Sequence, residues 1–142
     1  MFIQVPSEMR TAHRKQHVGL ALEVVLQQAA PAHYCHIRRE RLSFHYNPRV
    51  CPSSLACTGQ AGRRVFFTVD PLDLDLADLG ALIAHEGLHH YTDRFGRHFI
   101  VPHTCRNCRN PFERRHDPIY VEHENLRRFL RAWLRRYADD VG

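Results

Sequence analysis

The sequence predicts a small α+β domain with a helix near its amino end, a small β-sheet, a central helix and a helix near its carboxyl end. Two observations predict this order. Apolar residues recur at helical spacing over residues 7–28, 73–94 and 118–137, whereas residues 42–46 and 64–69 combine alternation with aromatic and β-branched side chains. At 142 residues the chain is long enough for one core, so we expect a single domain over residues 1–142.

Capping and breaking residues set the expected bounds of these elements. Ser7 can cap the first helix, and Pro31 is expected to end that helical segment. Asp70 and Pro71 precede the central helix, and Pro118 suits the first turn of the last helix. Residues 49–62 are expected to form an ordered loop, and residues 97–117 a long, irregular one.

The motif His85-Glu86-x-x-His89 lies within the predicted central helix. Histidines four residues apart share one face of a helix, so both imidazoles can bind one metal ion. Glu86 is about 100° around the helix from His85, a position suited to a base that holds a water without binding the metal. The apolar residues that support the helix are Leu76, Leu79, Leu82 and Ile83. The motif therefore predicts a catalytic zinc site, and a merely packed, histidine-rich helix is the alternative.

The third zinc ligand must come from another segment, because a catalytic zinc usually has three protein ligands and one open position. Glu122 is the first candidate, since it lies on the apolar stripe of the last helix, three residues after Ile119 and four before Leu126. A carboxylate on the core face of a helix needs a buried partner, and a metal ion is a suitable one. The alternative ligands are Asp93, His98 and His103.

Five cysteines contain two candidate pairs. Cys105 and Cys108 have the spacing of a zinc knuckle, and Cys51 and Cys57 form a looser pair. Together these four residues could hold a second, structural zinc ion. A redox or disulfide pair and unrelated free thiols are the alternatives, and the odd number of cysteines argues against a disulfide framework.

Arginine carries almost all of the positive charge, because the net charge is +5 and Lys15 is the only lysine. Arginine favours bidentate contacts to phosphate and carboxylate, so nucleic acid is a candidate partner; a solvated basic surface is the alternative. No apolar run is long enough to span a membrane, and the first residues lack the pattern of a signal peptide. We therefore expect no membrane association and a cytoplasmic location, with secretion by a route that needs no signal peptide left open.

With these residues assembled, the chain resembles the zincin metallopeptidases over residues 42–130. The run from Val121 to Asn125, with Phe129, is similar to the Glu-bearing helix of compact gluzincins, including the ImmA/IrrE-like proteases. That resemblance implies Glu122 as the third ligand. The SprT-like group is the second resemblance; it takes a histidine after the motif, which the segment 96–99 matches in part, and some members act on DNA-bound proteins. Both imply a helix bearing the motif that packs under a small sheet, whose edge strand binds substrate.

The predicted function is that of a zinc metallopeptidase with a narrow protein or peptide target. Glu86 is expected to take a proton from the zinc-bound water and pass it to the leaving amine. The strand over residues 64–69 is expected to offer an exposed edge to an extended peptide. The candidates for stabilising the developing oxyanion are Tyr91, His123, His116 and Arg97.

Two other functions remain as alternatives. One is a basic nucleic-acid-binding module held together by the four-cysteine zinc ion, in which arginines of the last helix contact phosphate. Those arginines are Arg127, Arg128, Arg131, Arg135 and Arg136. The other is a metal-dependent hydrolase that acts on a non-peptide bond.

Overall fold

The computed structural model of the protein describes residues 7–51, 54–58, 62–102 and 117–141, and it confirms the α+β class. In these ranges, helix α1 is an α-helix over Ser7–Gly19, a π-helix over Leu20–Leu26 and an α-helix again over Gln27–Ala29. The other helices are α2, Pro31–Arg39; α3, Leu76–Leu88; and α4, Pro118–Val141. The strands are β1, Ser43–Tyr46; β2, Ala56–Thr58; β3, Arg64–Phe67; β4, His90–Thr92; and β5, His98–Ile100. Among these described segments, no helix combines the length and apolar character needed to cross a membrane.

The core forms around α3, which packs against α1 on one side and α4 on another. Its neighbours include Leu26 of α1 and Leu130 of α4, both fully buried. Gly80 permits the close approach of α4, because a Cβ atom at that position would lie only 2.9 Å from Leu130 Cδ1. Asp75 starts the helix by accepting a hydrogen bond from the backbone N–H of Asp78 at 2.8 Å. The apolar stripe of the sequence thus becomes a helix that is buried on several faces.

The larger sheet has the strand order β1-β3-β2. Strand β3 pairs in parallel with β1 and antiparallel with β2, and it buries Val65 and Phe67. Two strands were predicted correctly, but β2 lies inside the expected loop over residues 49–62. The expectation of an exposed edge at residues 64–69 is wrong, since β3 is the central strand and its backbone is paired on both sides.

The first and last helices agree with the sequence patterns, but Pro31 was misinterpreted. Ala30 leaves the helical conformation at φ −140° and ψ 63°, and Pro31 then begins α2 instead of ending the helical segment. Proline suits this first position because its N–H group is not needed there and its φ is already helical. At the start of α4, the Asp117 carboxylate accepts a hydrogen bond from the backbone N–H of Ile119 at 2.9 Å.

The helix that carries His85 and Glu86 is shorter than the predicted range of 73–94. It ends at Leu88, and the chain continues into a hairpin of β4 and β5, where Tyr91 lies opposite Phe99. An irregular loop was expected over residues 97–117, but His98–Ile100 form a strand there. Residues 103–116 lie outside the described ranges.

A histidine of α2 explains why α3 ends where it does. His36 Nε2–H donates to the backbone carbonyls of Gly87 and His90, at 2.9 Å each. The last carbonyls of a helix have no partner within the helix, so a side chain that binds them can replace a further turn. This contact between elements far apart in sequence leaves no mark in the local pattern of residues 73–94.

An ion pair joins α1 to the turn that precedes α3. The Arg14 guanidinium donates to both carboxylate oxygens of Asp70, at 3.1 and 2.9 Å, and both side chains are partly buried. These hydrogen bonds, against the opposing effect of burial, hold the pKa of Asp70 below its ordinary value of 3.8. A depressed folded-state pKa stabilises the protein above the unfolded value, and this stabilisation is lost as the pH falls through the folded value.

We predict that Asp70→Asn lowers the free energy of unfolding by about 1 kcal/mol at pH 7, as expected for a bidentate, partly buried pair. The difference from the wild type should shrink as the pH is lowered below about 4, since protonated Asp70 no longer carries the charge. Urea unfolding at pH 7 and at about pH 3 measures it, with Asp73→Asn, an exposed acid of the same turn, as the control. An equal difference at both pH values would contradict the pairing.

Candidate metal centre

His85, Glu86 and His89 lie close together at the carboxyl end of α3. The potential ligand atoms of His85, Glu86 and His89 all lie within 4.8 Å of one another. The Nε2 atoms of the two histidines are 3.3 Å apart. Two nitrogens bound to a tetrahedral zinc at about 2.0–2.1 Å would be separated by about 3.3–3.4 Å. The spacing of the two imidazoles therefore fits a pair of zinc ligands.

The ring of His89 is held in one orientation by the backbone of the following hairpin. His89 Nδ1–H donates to the carbonyl oxygen of Val101 at 2.6 Å, and the backbone N–H of Val101 donates to the carbonyl of His89 at 2.6 Å. A carbonyl can only accept, so the proton of the neutral ring resides on Nδ1 and Nε2 keeps its lone pair. A hydrogen bond of this kind is the usual support for a metal-binding histidine.

Glu86 lies beside the two histidines in an environment that disfavours its charge. Its side chain is only 5% exposed, and one carboxylate oxygen is 4.0 Å from His85 Nε2. Burial raises the pKa of Glu86 to about 7. A carboxylate with a pKa near neutrality can take up and release a proton, which is the property required of a general base. A cation nearby would also offset the cost of burying its charge.

The three residues open onto a cavity of about 490 Å³. One wall is the segment from Ser54 to Thr58, which includes β2, and the other walls come from α3, α4 and the end of β5. Leu82, Ile100 and Tyr120 are among the residues that line these other walls. The cavity is lined by polar and apolar groups together, and its polar groups converge on one side, as in many ligand-binding sites.

Glu122, predicted as the third ligand, is directed elsewhere. Its Oε1 accepts a hydrogen bond from His33 Nε2 at 2.9 Å, and the side chain is 45% exposed. It lies outside the group that the described residues form for a metal ion, so the structure does not support the assignment. The expectation that Glu122 lies on the buried face of the helix is therefore wrong, and its partner is a histidine of α2.

The next residue on α4, His123, reaches the site instead. Its Nδ1 lies 2.9 Å from His85 Nδ1, and the two ring centroids are 4.9 Å apart. Burial lowers the pKa of His123. Tyr120, one turn earlier, also lies against His85, with ring centroids 5.5 Å apart. Sequence reasoning missed Tyr120, although its spacing of three from His123 was a usable signal.

The alternative ligands are also placed away from the metal group. The Asp93 carboxylate accepts from the backbone N–H groups of Phe95 and Arg97, both at 2.9 Å, and so holds the turn of the hairpin. His98 Nε2 pairs with His90 Nδ1 at 2.9 Å. Neither residue belongs to the group formed by His85, Glu86 and His89, and His103 lies outside the described residues.

The residues predicted to stabilise an oxyanion differ in their position relative to the cavity. Tyr91 is 53% exposed on the hairpin, and Arg97 is exposed as well. Neither lines the cavity, whereas His123 does. His116 lies outside the described residues.

A buried polar network supports the hairpin next to the site. His90 is 1% exposed and pairs with Thr58 of β2 through its Nε2 at 2.9 Å, and burial lowers the pKa of His90 to about 4. Burial alone would raise the pKa of Glu40, but hydrogen bonds from Thr92 and Arg63 lower it overall. The network ties α2, β2 and β4 together, so it fixes the backbone on which His89 and Val101 meet.

The four-cysteine zinc site needs correction. Cys51 and Cys57 are joined in a disulfide, which removes both thiolates that the proposed site required. Cys105 and Cys108 lie outside the described residues, and Cys35 is an exposed free thiol on α2. The disulfide pair had been one of the alternatives to the zinc site.

Comparison with known proteins gave no match: no family model fits the sequence, and no curated protein and no solved structure matches the chain. The interpretation of the site therefore rests on its own geometry.

We predict that His89→Asn reduces bound zinc from about one ion per chain to nearly none, because it removes the Nε2 ligand. An asparagine amide can still donate to the Val101 carbonyl, so the fold should survive. Elemental analysis and circular dichroism measure the two properties, and His13→Ala, an exposed histidine of α1, is the control. Unchanged zinc in a folded His89→Asn protein would place the ion elsewhere.

We also predict that replacing Cys51 and Cys57 together by serine leaves the zinc content unchanged. The disulfide already excludes these residues from a thiolate site. Zinc loading without reductant, followed by elemental analysis of the wild type and the double variant, checks this result. Loss of one zinc ion in the variant would contradict this prediction and indicate that these cysteines bind zinc.

Proposed function

We propose that this protein is a zinc-dependent peptidase whose active site is the group formed by His85, Glu86 and His89. The observation that carries the proposal is the 3.3 Å separation of the two Nε2 atoms beside a buried carboxylate. Two imidazoles that converge at the spacing of zinc ligands, next to a candidate base, suit hydrolysis assisted by a metal ion.

The residues present fit a zinc ion. Neutral imidazole nitrogens are common zinc ligands, and the hydrogen bond from His89 to Val101 leaves the correct nitrogen available. When bound, a zinc ion lowers the pKa of a coordinated water towards neutrality and polarises a substrate carbonyl. His85 and His89 are the ligands that we assign to it.

The carboxylate of Glu86 would act as the general base. It accepts a proton from the attacking water and later donates that proton to the leaving amine. The cleft around it, with Leu82, Ile100 and Tyr120, would hold the side chains of a substrate on either side of the scissile bond.

The substrate backbone would pair with β2 and not with the predicted strand over residues 64–69. β2 is the outer strand of the order β1-β3-β2, and it lines the same cavity as the metal group. An extended peptide added to this edge would gain main-chain hydrogen bonds and cross the cleft next to His85 and Glu86. This placement favours peptide hydrolysis over hydrolysis of a small non-peptide ester or amide.

The resemblances to gluzincins and to SprT-like proteins depend on a third zinc ligand. The contacts of Glu122 and His98 do not support either residue as that ligand. Both residues are hydrogen-bonded to other histidines, His33 and His90. We therefore propose the reaction and its general base, and we assign the chain to neither group.

Ion pairs already involve two of the five arginines of α4 on which the nucleic-acid-binding alternative depends. Arg127 pairs with Glu124, and Arg131 pairs with Asp78 at 2.9 Å and with Asp75 at 3.7 Å. Arginines that already neutralise acidic neighbours have less charge to offer phosphate groups. The disulfide of the cysteine pair removes the other feature on which that function was based.

We predict that Glu86→Gln keeps zinc but lowers the rate of peptide hydrolysis by at least about 100-fold, the usual contribution of a general base. The amide has almost the same shape as the carboxylate but cannot take up the proton. The assay is cleavage of a randomised mixture of fluorescence-quenched peptides, with zinc content measured on the same samples.

Glu124→Gln is the matched control, since Glu124 is an exposed acid on α4 that pairs with Arg127. It should retain wild-type activity. Peptide hydrolysis that survives in Glu86→Gln would exclude Glu86 as the base, and a zinc-loaded wild type that cleaves no peptide in the mixture would contradict the peptidase proposal.

A further inference from the structure

The rings of His85 and His123 meet through their Nδ1 atoms at 2.9 Å. A nitrogen–nitrogen contact of this length requires that one atom donates a proton and the other accepts it. His85 is buried at the end of α3, and His123 projects from α4 with only part of its surface exposed. The contact thus joins two elements that are far apart in sequence.

The direction of this hydrogen bond follows from the role of the other nitrogen of His85. Its Nε2 lies 3.3 Å from His89 Nε2, on the side where a metal ion would bind. A neutral imidazole that gives its Nε2 lone pair to a metal ion must carry its proton on Nδ1. His85 Nδ1–H then donates to His123, whose Nδ1 must be without a proton.

A second arrangement of the same protons would block the site. If His123 Nδ1–H donated to His85 instead, the proton of the neutral His85 ring would lie on Nε2, directed towards His89. The lone pair needed for the metal ion would then be missing. The tautomer of His123 therefore selects between a form of His85 that binds metal and one that does not.

We propose that His123 is a positioning residue that accepts the Nδ1–H of His85 and so fixes the tautomer and the ring orientation that bind zinc. This inference rests on the proposed zinc site but assigns His123 a task that the peptidase proposal does not need. Hydrogen bonds to metal-binding histidines typically change metal affinity by about 10–100-fold.

The packing of α3 on α4 favours this role over direct ligation by His123. Gly80 lets α4 approach closely at Leu130, and the two helices also meet further along, where His85 and His123 contact each other. The Nδ1 atom of His123 already contacts His85 Nδ1. Among the described residues, His123 does not join the group that could hold a metal ion.

The experiment compares the zinc dissociation constants of His123→Ala, His123→Asn and His123→Gln, measured by competition with a chromophoric chelator. The Oδ1 atom of asparagine lies near the position of Nδ1 and can accept the same hydrogen bond, whereas the longer glutamine places its oxygen near the position of Nε2. Glu122→Ala, which alters the adjacent residue and its contact with His33, is the control.

We expect His123→Ala and His123→Gln to weaken zinc binding about 10–100-fold. His123→Asn should stay within about threefold of the wild type, as should Glu122→Ala. Equal and severe loss in all three His123 variants would show that His123 is itself a ligand, and unchanged affinity in all three would show that the contact does nothing for the site. Either result would overturn the proposal.

A second measurement separates this proposal from that of the zinc peptidase. Nuclear magnetic resonance of ring-labelled protein can detect the coupling between the two Nδ1 nuclei across an N–H···N hydrogen bond, with or without zinc. We expect this coupling in the wild type and not in His123→Ala, with the proton on His85 Nδ1 in the zinc-loaded protein. Absence of the coupling in the wild type would refute the role of His123, whereas a wild type that shows the coupling but binds no zinc would refute the zinc peptidase.

Discussion

The structure depends on the burial of α3. From Leu79 to Gly87, successive residues of this helix are shielded from water, and the buried set includes both His85 and Glu86. Apolar residues make that burial favourable, but an imidazole and a carboxylate lose hydration and must find partners. The contacts of the candidate site meet this requirement: His123 and His89 contact His85, and a cation would offset the charge of Glu86.

The same constraint links the site to the rest of the fold. At the end of α3, the carbonyl of Gly87 and the carbonyl of His90, in the strand that follows, are bound by His36 of α2 rather than by another helical turn. The chain can then turn back as the hairpin of β4 and β5, which brings Val101 to His89. The Glu40 and His90 network fastens that hairpin to α2 and β2. The contacts that stabilise the end of the helix therefore also orient the ring of His89.

Local patterns predicted what depends on local geometry. The spacing of His85 and His89 sufficed to place both rings on one side, and the apolar stripes located α1, α3 and α4. Features that depend on distant contacts were not accessible in this way. Pro31 was interpreted as a terminator when it begins α2, and Glu122 was expected at the metal because it lies on the apolar stripe of α4. In the folded chain α4 faces both α2 and α3, so adjacent residues reach different partners.

The central claim is that zinc is bound by imidazole nitrogens of α3. The most direct test is the X-ray absorption spectrum of the protein loaded with one zinc ion per chain. Two converging histidines predict a first shell of nitrogen and oxygen at about 2.0–2.1 Å, with the outer-shell scattering of at least two imidazoles. A shell dominated by sulfur at about 2.3 Å would place the zinc on cysteines and contradict the proposed active site.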